Sequence, residues 1–235
     1  MKEEQKAVEA LKKIKTILDR NNINYWLDEG TLLGAVREKK LIEWDHDIDL
    51  SIWYTDLEKI KPLFNEIEKT GVQVCFFEWK KHIKILGDGY EIDINLYHIK
   101  DEKATRMWHA HNKFGRIIDY IIWTQYLKNA KKKEFKVPLF ITKFLIKSSN
   151  ITPKLINKIV LQSLVKLYAK LGCKVIEMAV PLHFFTNLSD LEFYNMTFKV
   201  PKKTEDYLEC RYGKGWRVPK KDYVFHKDDC SIVKN

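Results

Sequence analysis

Tyr25-Trp26-Leu27-Asp28-Glu29-Gly30-Thr31-Leu32-Leu33-Gly34-Ala35-Val36-Arg37 runs through a turn at 38–40 into Leu41-Ile42-Glu43-Trp44-Asp45-His46-Asp47-Ile48-Asp49-Leu50. Asp45, Asp47 and Asp49 alternate with His46 and Ile48. A β-strand has a side-chain period of two, so an extended backbone here turns all three carboxylates to one face. Like charges so placed repel, and a hard divalent cation with oxygen ligands, Mg²⁺ or Mn²⁺, would relieve them. Glu91-Ile92-Asp93-Ile94-Asn95-Leu96-Tyr97 shows the same alternation, which lets Asp93 reach that ion from a neighbouring strand. The expected metal ligands are therefore Asp47, Asp49 and Asp93.

Gly30 follows a short apolar strand, 24–28, and opens a helix. Its missing side chain would let a phosphate approach the backbone, where helix N-terminal N–H groups face an anion. Thr31 is expected to cap that helix and to add a hydroxyl donor. Arg37, about two turns further on, comes within reach of a phosphate or of the carboxylate strand. A lone Gly-Thr also fits a plain turn, and a lone Asp-x-Asp a solvated edge. Their order, followed by an Asp on a third strand, is the pattern of a nucleotidyltransferase fold.

The stretch Gly30 to Arg37, followed by Trp44-Asp45-His46-Asp47-Ile48-Asp49, resembles the LicD family, which includes bacterial phosphocholine transferases and eukaryotic fukutin-type proteins. The likeness is closest over 25–53. It extends more loosely through Asp93 and to Pro201, Tyr207, Leu208, Tyr212-Gly213 and Trp216 to Pro219. His46 and Glu43 stand where many members carry Asp and Pro, which bears on donor and metal preference. The resemblance implies transfer of a phospho-alcohol of the phosphocholine, glycerol phosphate or ribitol phosphate type. The donor would be linked to cytidine diphosphate (CDP) and the acceptor a sugar hydroxyl of a glycan or glycolipid, as in lipopolysaccharide or teichoic acid. Asp47, Asp49 and Asp93 would carry the catalysis, and Asp45 would support them or act as base. Gly30, Thr31, Arg37 and, near the C-terminus, Arg211 and Lys214 would meet the donor; Arg211 and Lys214 fit a structural clasp equally well. Two other functions fit the same residues. A nucleotidyltransferase using a triphosphate would release pyrophosphate, and a non-catalytic basic protein would bind membrane or nucleic acid. Intact Asp47, Asp49 and Asp93 count against the second, and no specific nucleic-acid partner is expected.

The 235 residues, 45% hydrophobic and 13% aromatic, suffice for a sizeable core, and no Pro, Gly or Ser-rich linker divides them. The expected fold is a single α/β domain over 1–235, a mixed sheet with packed helices. It would comprise a core at 1–125, an added basic helical segment at 126–180 and a closing segment at 181–235. Within the core, 55–69 predicts a helix opened by a Thr55 to Glu58 capping box and ended at Gly71. The stretches 72–79, 82–86 and 90–97 predict strands, and 101–115 predicts a loop in which Arg106, Trp108, His109 and His111 could stack a base and hold a phosphate. Phe198 to Pro201 predicts a strand and 204–212 the closing helix.

Cys75, Cys173, Cys210 and Cys230 lack the paired spacing of a zinc ribbon or a dense disulfide framework. With no secretory signal and no apolar run of the ~20 residues a spanning helix needs, the expectation is a cytoplasmic protein able to lie on the inner face of a membrane. The net charge of +10 and pI near 9.2 point to anionic partners. The basic stretch 126–174, in which only Glu134 opposes the lysines, is the candidate contact with anionic lipid.

Overall fold

The computed structural model describes residues 3–77, 81–111 and 173–233. The chain divides into two compact units, Met1–Trp108 with Ile176–Asn235, and His109–Val175. The first unit holds both carboxylate strands and the closing segment. The basic stretch expected over 126–180 lies outside the described residues as far as 172. Its last residues are not helical but open a strand at Cys173.

Helix α1 (Glu3–Arg20) buries Ala7, Ala10, Leu11, Ile14, Ile17 and Leu18 along one stripe, with Glu3 and Glu4 in its first turn and Arg20 in its last, as the helix dipole favours. Asn22 ends it in the left-handed region (φ 53°). The Ile23 N–H donates to the Leu18 carbonyl and the Asn22 N–H to that of Asp19, which together form a Schellman cap. Strand β1 (Tyr25–Leu27) follows, then helix α2 (Glu29–Arg37) and strand β2 (Asp47–Trp53).

The expected helix over 55–69 is instead a chain of short pieces. Two 3-10 turns, Tyr54–Asp56 and Lys61–Leu63, alternate with α3 (Leu57–Ile60) and α4 (Phe64–Glu68). Pro62 has no N–H to give, and its ring crowds the preceding turn. The capping box does not form, and Asp56 pairs with Lys59 at 2.6 Å instead. Leu57, Ile60 and Ile67 still enter the core, so the hydrophobic stripe survives the break.

Strands β3 (Gln73–Phe77), β4 (His82–Leu86) and β5 (Glu91–Lys100) form the expected meander, with β5 three residues longer than its alternation indicates. The expected loop at 101–115 is a strand as far as it is described, β6 (Lys103–His111). Asp101 and Glu102, at φ 49° and 56°, make the two-residue turn of a hairpin joining β5 to β6. The sheet runs β1-β2-β5-β4-β3, and β6 pairs with both β5 and β7 (Cys173–Pro181). The registered pairings of this sheet are antiparallel except β2 with β5, which is parallel.

Helix α5 (His183–Thr186), the hairpin β8 (Leu188–Phe193) with β9 (Met196–Pro201), helix α6 (Thr204–Tyr212) and helix α7 (Phe225–Asp228) complete the unit. Helix α6 lies where the sequence places it. Among the described residues no helix is long and apolar enough to cross a membrane.

Candidate active site

The site grows from the end of β1. Asp28 is fully buried in an extended conformation and caps α2 by accepting from the Glu29 N–H at 2.8 Å. It also accepts from Ser51 Oγ at 2.7 Å and Tyr207 Oη at 2.5 Å, so one carboxylate ties α2 to β2 and to α6. Thr31 is therefore not the cap. It sits inside the helix, where its Oγ1 accepts the Asp49 N–H at 2.8 Å and fixes the backbone of the carboxylate strand. Glu29, in the left-handed region at φ 49°, turns its buried carboxylate between Arg106 at 2.7 Å and Arg211 at 2.8 Å.

Gly30 faces Asp45. A Cβ built on it would lie 2.0 Å from Asp45 Oδ2, so the missing side chain admits a carboxylate. Asp45 itself is not on the strand. Its N–H closes a turn onto the Ile42 carbonyl at 3.0 Å, and β2 begins only at Asp47. The alternation argument holds for Asp47 and Asp49 alone, while Asp45 comes back to them through the turn.

The parallel pairing of β2 with β5 sets Asp49 directly opposite Asp93, and Asp47 opposite Glu91. On the other side of β5, β4 sets Lys84 opposite Asp93. Lys84 Nζ lies 3.0 Å from Asp93 and 2.8 Å from Glu91, and His82 Nε2 lies 3.2 Å from Asp93. Charge is thus distributed unevenly. Burial opposes the ionised Asp93, but His82 and Lys84 hold its carboxyl well below the usual range. Among the described residues Asp49 has no such cationic partner; burial, then the charges of Asp47, Glu29, Asp93 and Asp45, push it well above that range. Asp45 is pushed up to about 8 by burial, by the charge of Asp47 and by a hydrogen bond with it. Among the described residues no three His, Cys, Asp or Glu side chains converge at ligating distance, and Asp93 is turned onto Lys84 and His82.

The expected phosphate contacts separate. Arg37 bonds to Glu38 and to the Trp216 carbonyl at 3.2 Å, which ties α2 to the closing segment. Arg211 is fully buried, with its donors on Asp229, Glu29 and Tyr207 Oη, and so sits as a clasp inside the unit. Lys214 is exposed in the turn after α6. Asn95 and Arg106 complete the site. Asn95 Nδ2 donates to Asp49 Oδ1 at 3.3 Å, and Arg106 donates to Asn95 Oδ1. Asn95 is legible in the sequence, two residues beyond Asp93 on the same face. Arg106 falls in a stretch that reads as a loop, with only a base or a phosphate to hold, and nothing local announces that Asp229 pairs with Arg211.

The model of the LicD/FKTN/FKRP nucleotidyltransferase domain matches residues 22–150. The human ribitol 5-phosphate transferase FKRP is 33% identical over 76 residues, which cover 32% of this chain and 15% of that one. The human ribitol-5-phosphate transferase FKTN is 20% identical over 241 residues, covering 97% of this chain and 37% of that one. The chain thus spans well under half the length of the curated relatives it matches. Among solved structures it is similar to the antibiotic-resistance factor ANT(2'')-Ia, with 13% identity and a TM-score of 0.33 over 72% of this chain and 96% of that one. The family match takes in α2, the carboxylates of β2, and Asp93, Asn95 and Arg106, and with it the chain belongs to the LicD/FKTN/FKRP nucleotidyltransferase-domain family.

Proposed function

We propose that the chain transfers a phospho-alcohol from a CDP-linked donor to a sugar hydroxyl of a glycan or glycolipid, releasing cytidine monophosphate (CMP). The observation that carries this reading is the placement of Asp47 and Asp49 beside Asp93 on parallel strands, in front of the α2 turn of a LicD-family domain. The donor set fits a hard divalent cation. It is all oxygen, and burial with the neighbouring carboxylates pushes Asp45 and Asp49 up, a crowding that a cation would relieve. Asp47 and Asp49 would hold Mg²⁺ or Mn²⁺. Asp93, opposite Asp49 and kept ionised by His82 and Lys84, would join them on leaving Lys84. When bound, such an ion neutralises charge on the transferring phosphoryl group.

The acceptor oxygen would attack the donor's distal phosphorus. One P–O bond forms there, the bond to the bridging diphosphate oxygen breaks, and that oxygen leaves with CMP. Asp45 would receive the acceptor's proton once the ion has displaced its own, since it lies beside Asp47 at the edge of the carboxylate group. Support for the transferred group being a sugar-alcohol phosphate comes from the ribitol phosphate transferases among the relatives.

The test is a panel of CDP-alcohols with Mg²⁺, comparing the protein with Asp49→Asn for donor binding and CMP release. One donor that binds and is turned over by the parent alone is the expected result. Pyrophosphate release from a nucleoside triphosphate, with no cytidine donor bound, would replace this reading with nucleotidyl transfer.

A further inference from the structure

Asp49 is held from two sides. Its N–H is fixed by Thr31 Oγ1, and its Oδ1 accepts from Asn95 Nδ2 at 3.3 Å. The orientation of that amide has one solution. An arginine only donates, so the oxygen of Asn95 must face Arg106, which turns its NH₂ to the carboxylate of Asp49. Arg106 is itself fixed. Its Nη2 donates to Glu29 Oε1 at 2.7 Å, its guanidinium lies 5.9 and 5.8 Å from the ring centres of Tyr97 and Phe225, and its side chain is 10% exposed. Glu29 is anchored in turn by Arg211.

We infer that Arg106 is a positioning residue that acts through Asn95 to set which oxygen of Asp49 is offered to a divalent ion. The inference rests on the reading of Asp49 as a ligand of that ion. The amide engages one lone pair of Oδ1, so Oδ2 is the less engaged oxygen and the one favoured to coordinate, and the rotamer that presents it is held before the ion arrives. Outer contacts of this kind typically contribute about 10–100-fold to metal affinity. They also act in series: once Asn95 no longer bridges, Arg106 has no hydrogen-bonded path to Asp49.

The test is Mn²⁺ binding followed by electron paramagnetic resonance, with the melting temperature of each variant measured beside it. The expected result is no binding by Asp49→Asn and about 10–100-fold weaker binding by Asn95→Ala at a near-parental melting temperature. Arg106→Gln should weaken binding to a similar degree, and Asn95→Ala with Arg106→Gln no further than Asn95→Ala alone. Arg106→Gln leaves Glu29 with Arg211 alone, and its melting temperature reads any loss of fold; parental affinity in a folded Arg106→Gln overturns the role of Arg106, while Asn95→Ala keeps the Arg106–Glu29 pair and tests the bridge. Parental affinity in Asn95→Ala, with Asp49→Asn still unable to bind, overturns the positioning role and leaves the metal reading standing. Parental affinity in Asp49→Asn overturns the metal reading and the positioning role with it.

Discussion

Gly30 and Asp45 show how one side chain can set another's place. Replacing Gly30 with Ala puts a methyl group 2.0 Å from Asp45 Oδ2, and the carboxylate, the far end of a side chain, must swing aside. The fold should tolerate this, but a displaced proton acceptor should lower turnover on the order of 100-fold, read as CMP release beside an unchanged melting temperature. The raised Asp45 gives a second handle. Its folded value near 8 exceeds the ordinary 3.8, so the folded state holds a proton that the unfolded chain gives up. Its contribution is full below about pH 4 and is lost as the pH rises to about 8. Asp93, shifted the other way, contributes above the ordinary carboxylate range and loses that only on further acidification. In the presence of chelator, urea denaturation between about pH 5 and 8 should therefore show stability falling with pH, and Asp45→Asn should flatten the slope. Mg²⁺ should stabilise the parent more at about pH 8 than at about pH 5, because there it no longer competes with protons. A slope unchanged in Asp45→Asn would reject this account of its environment.

At the scale of elements, what is legible in the sequence is what is local. The period of two in 47–53 and 91–97 marks β2 and most of β5, and Asn22 marks the end of α1. The partnership of Asp49 with Asp93 can be inferred only from charge, because a parallel pair is set by a crossover and not by a turn. Strand β6 is hidden because Lys103, Arg106 and His111 dilute its alternation; the sheet and the Glu29 carboxylate supply what makes it a strand. The clasp of α6 is the least legible. Arg211 bonds to Glu29 across 182 residues and to Asp229 across 18. Arg211→Met would leave Asp229 buried without its cation and Glu29 with Arg106 alone, a loss on the order of 3–5 kcal/mol. Tyr207→Phe removes one hydroxyl between Asp28 and Arg211 and should cost about 1–3 kcal/mol. Urea unfolding midpoints order the two. If Arg211→Met proved as stable as the parent, α6 would not depend on the clasp, and Arg211 would again be open to a ligand.

Over the whole molecule, charge separates by sequence. The stretch 126–174 holds twelve lysines against one glutamate, more than the net +10 of the entire chain, so the remainder is close to neutral while its candidate site is acidic. One part would hold a cation, and the other is suited to anions. A lipid-linked acceptor would make a membrane-facing basic stretch useful, since each lysine near anionic headgroups contributes about 1 kcal/mol and the attraction fades beyond a Debye length. The full chain should therefore sediment with phosphatidylserine-containing vesicles at about 0.05 M salt and release by about 0.5 M, where screening is shorter than a side chain. Lys131→Glu, Lys132→Glu and Lys133→Glu together should abolish sedimentation while leaving Mn²⁺ affinity at its parental value, because the metal reading draws on β2 and β5. Asp49→Asn should do the reverse, losing the ion and keeping the vesicles. A triple variant that still sediments at low salt would move membrane contact away from these lysines, and a parent that never sediments would leave the positive charge to the nucleotide donor or to another polyanion.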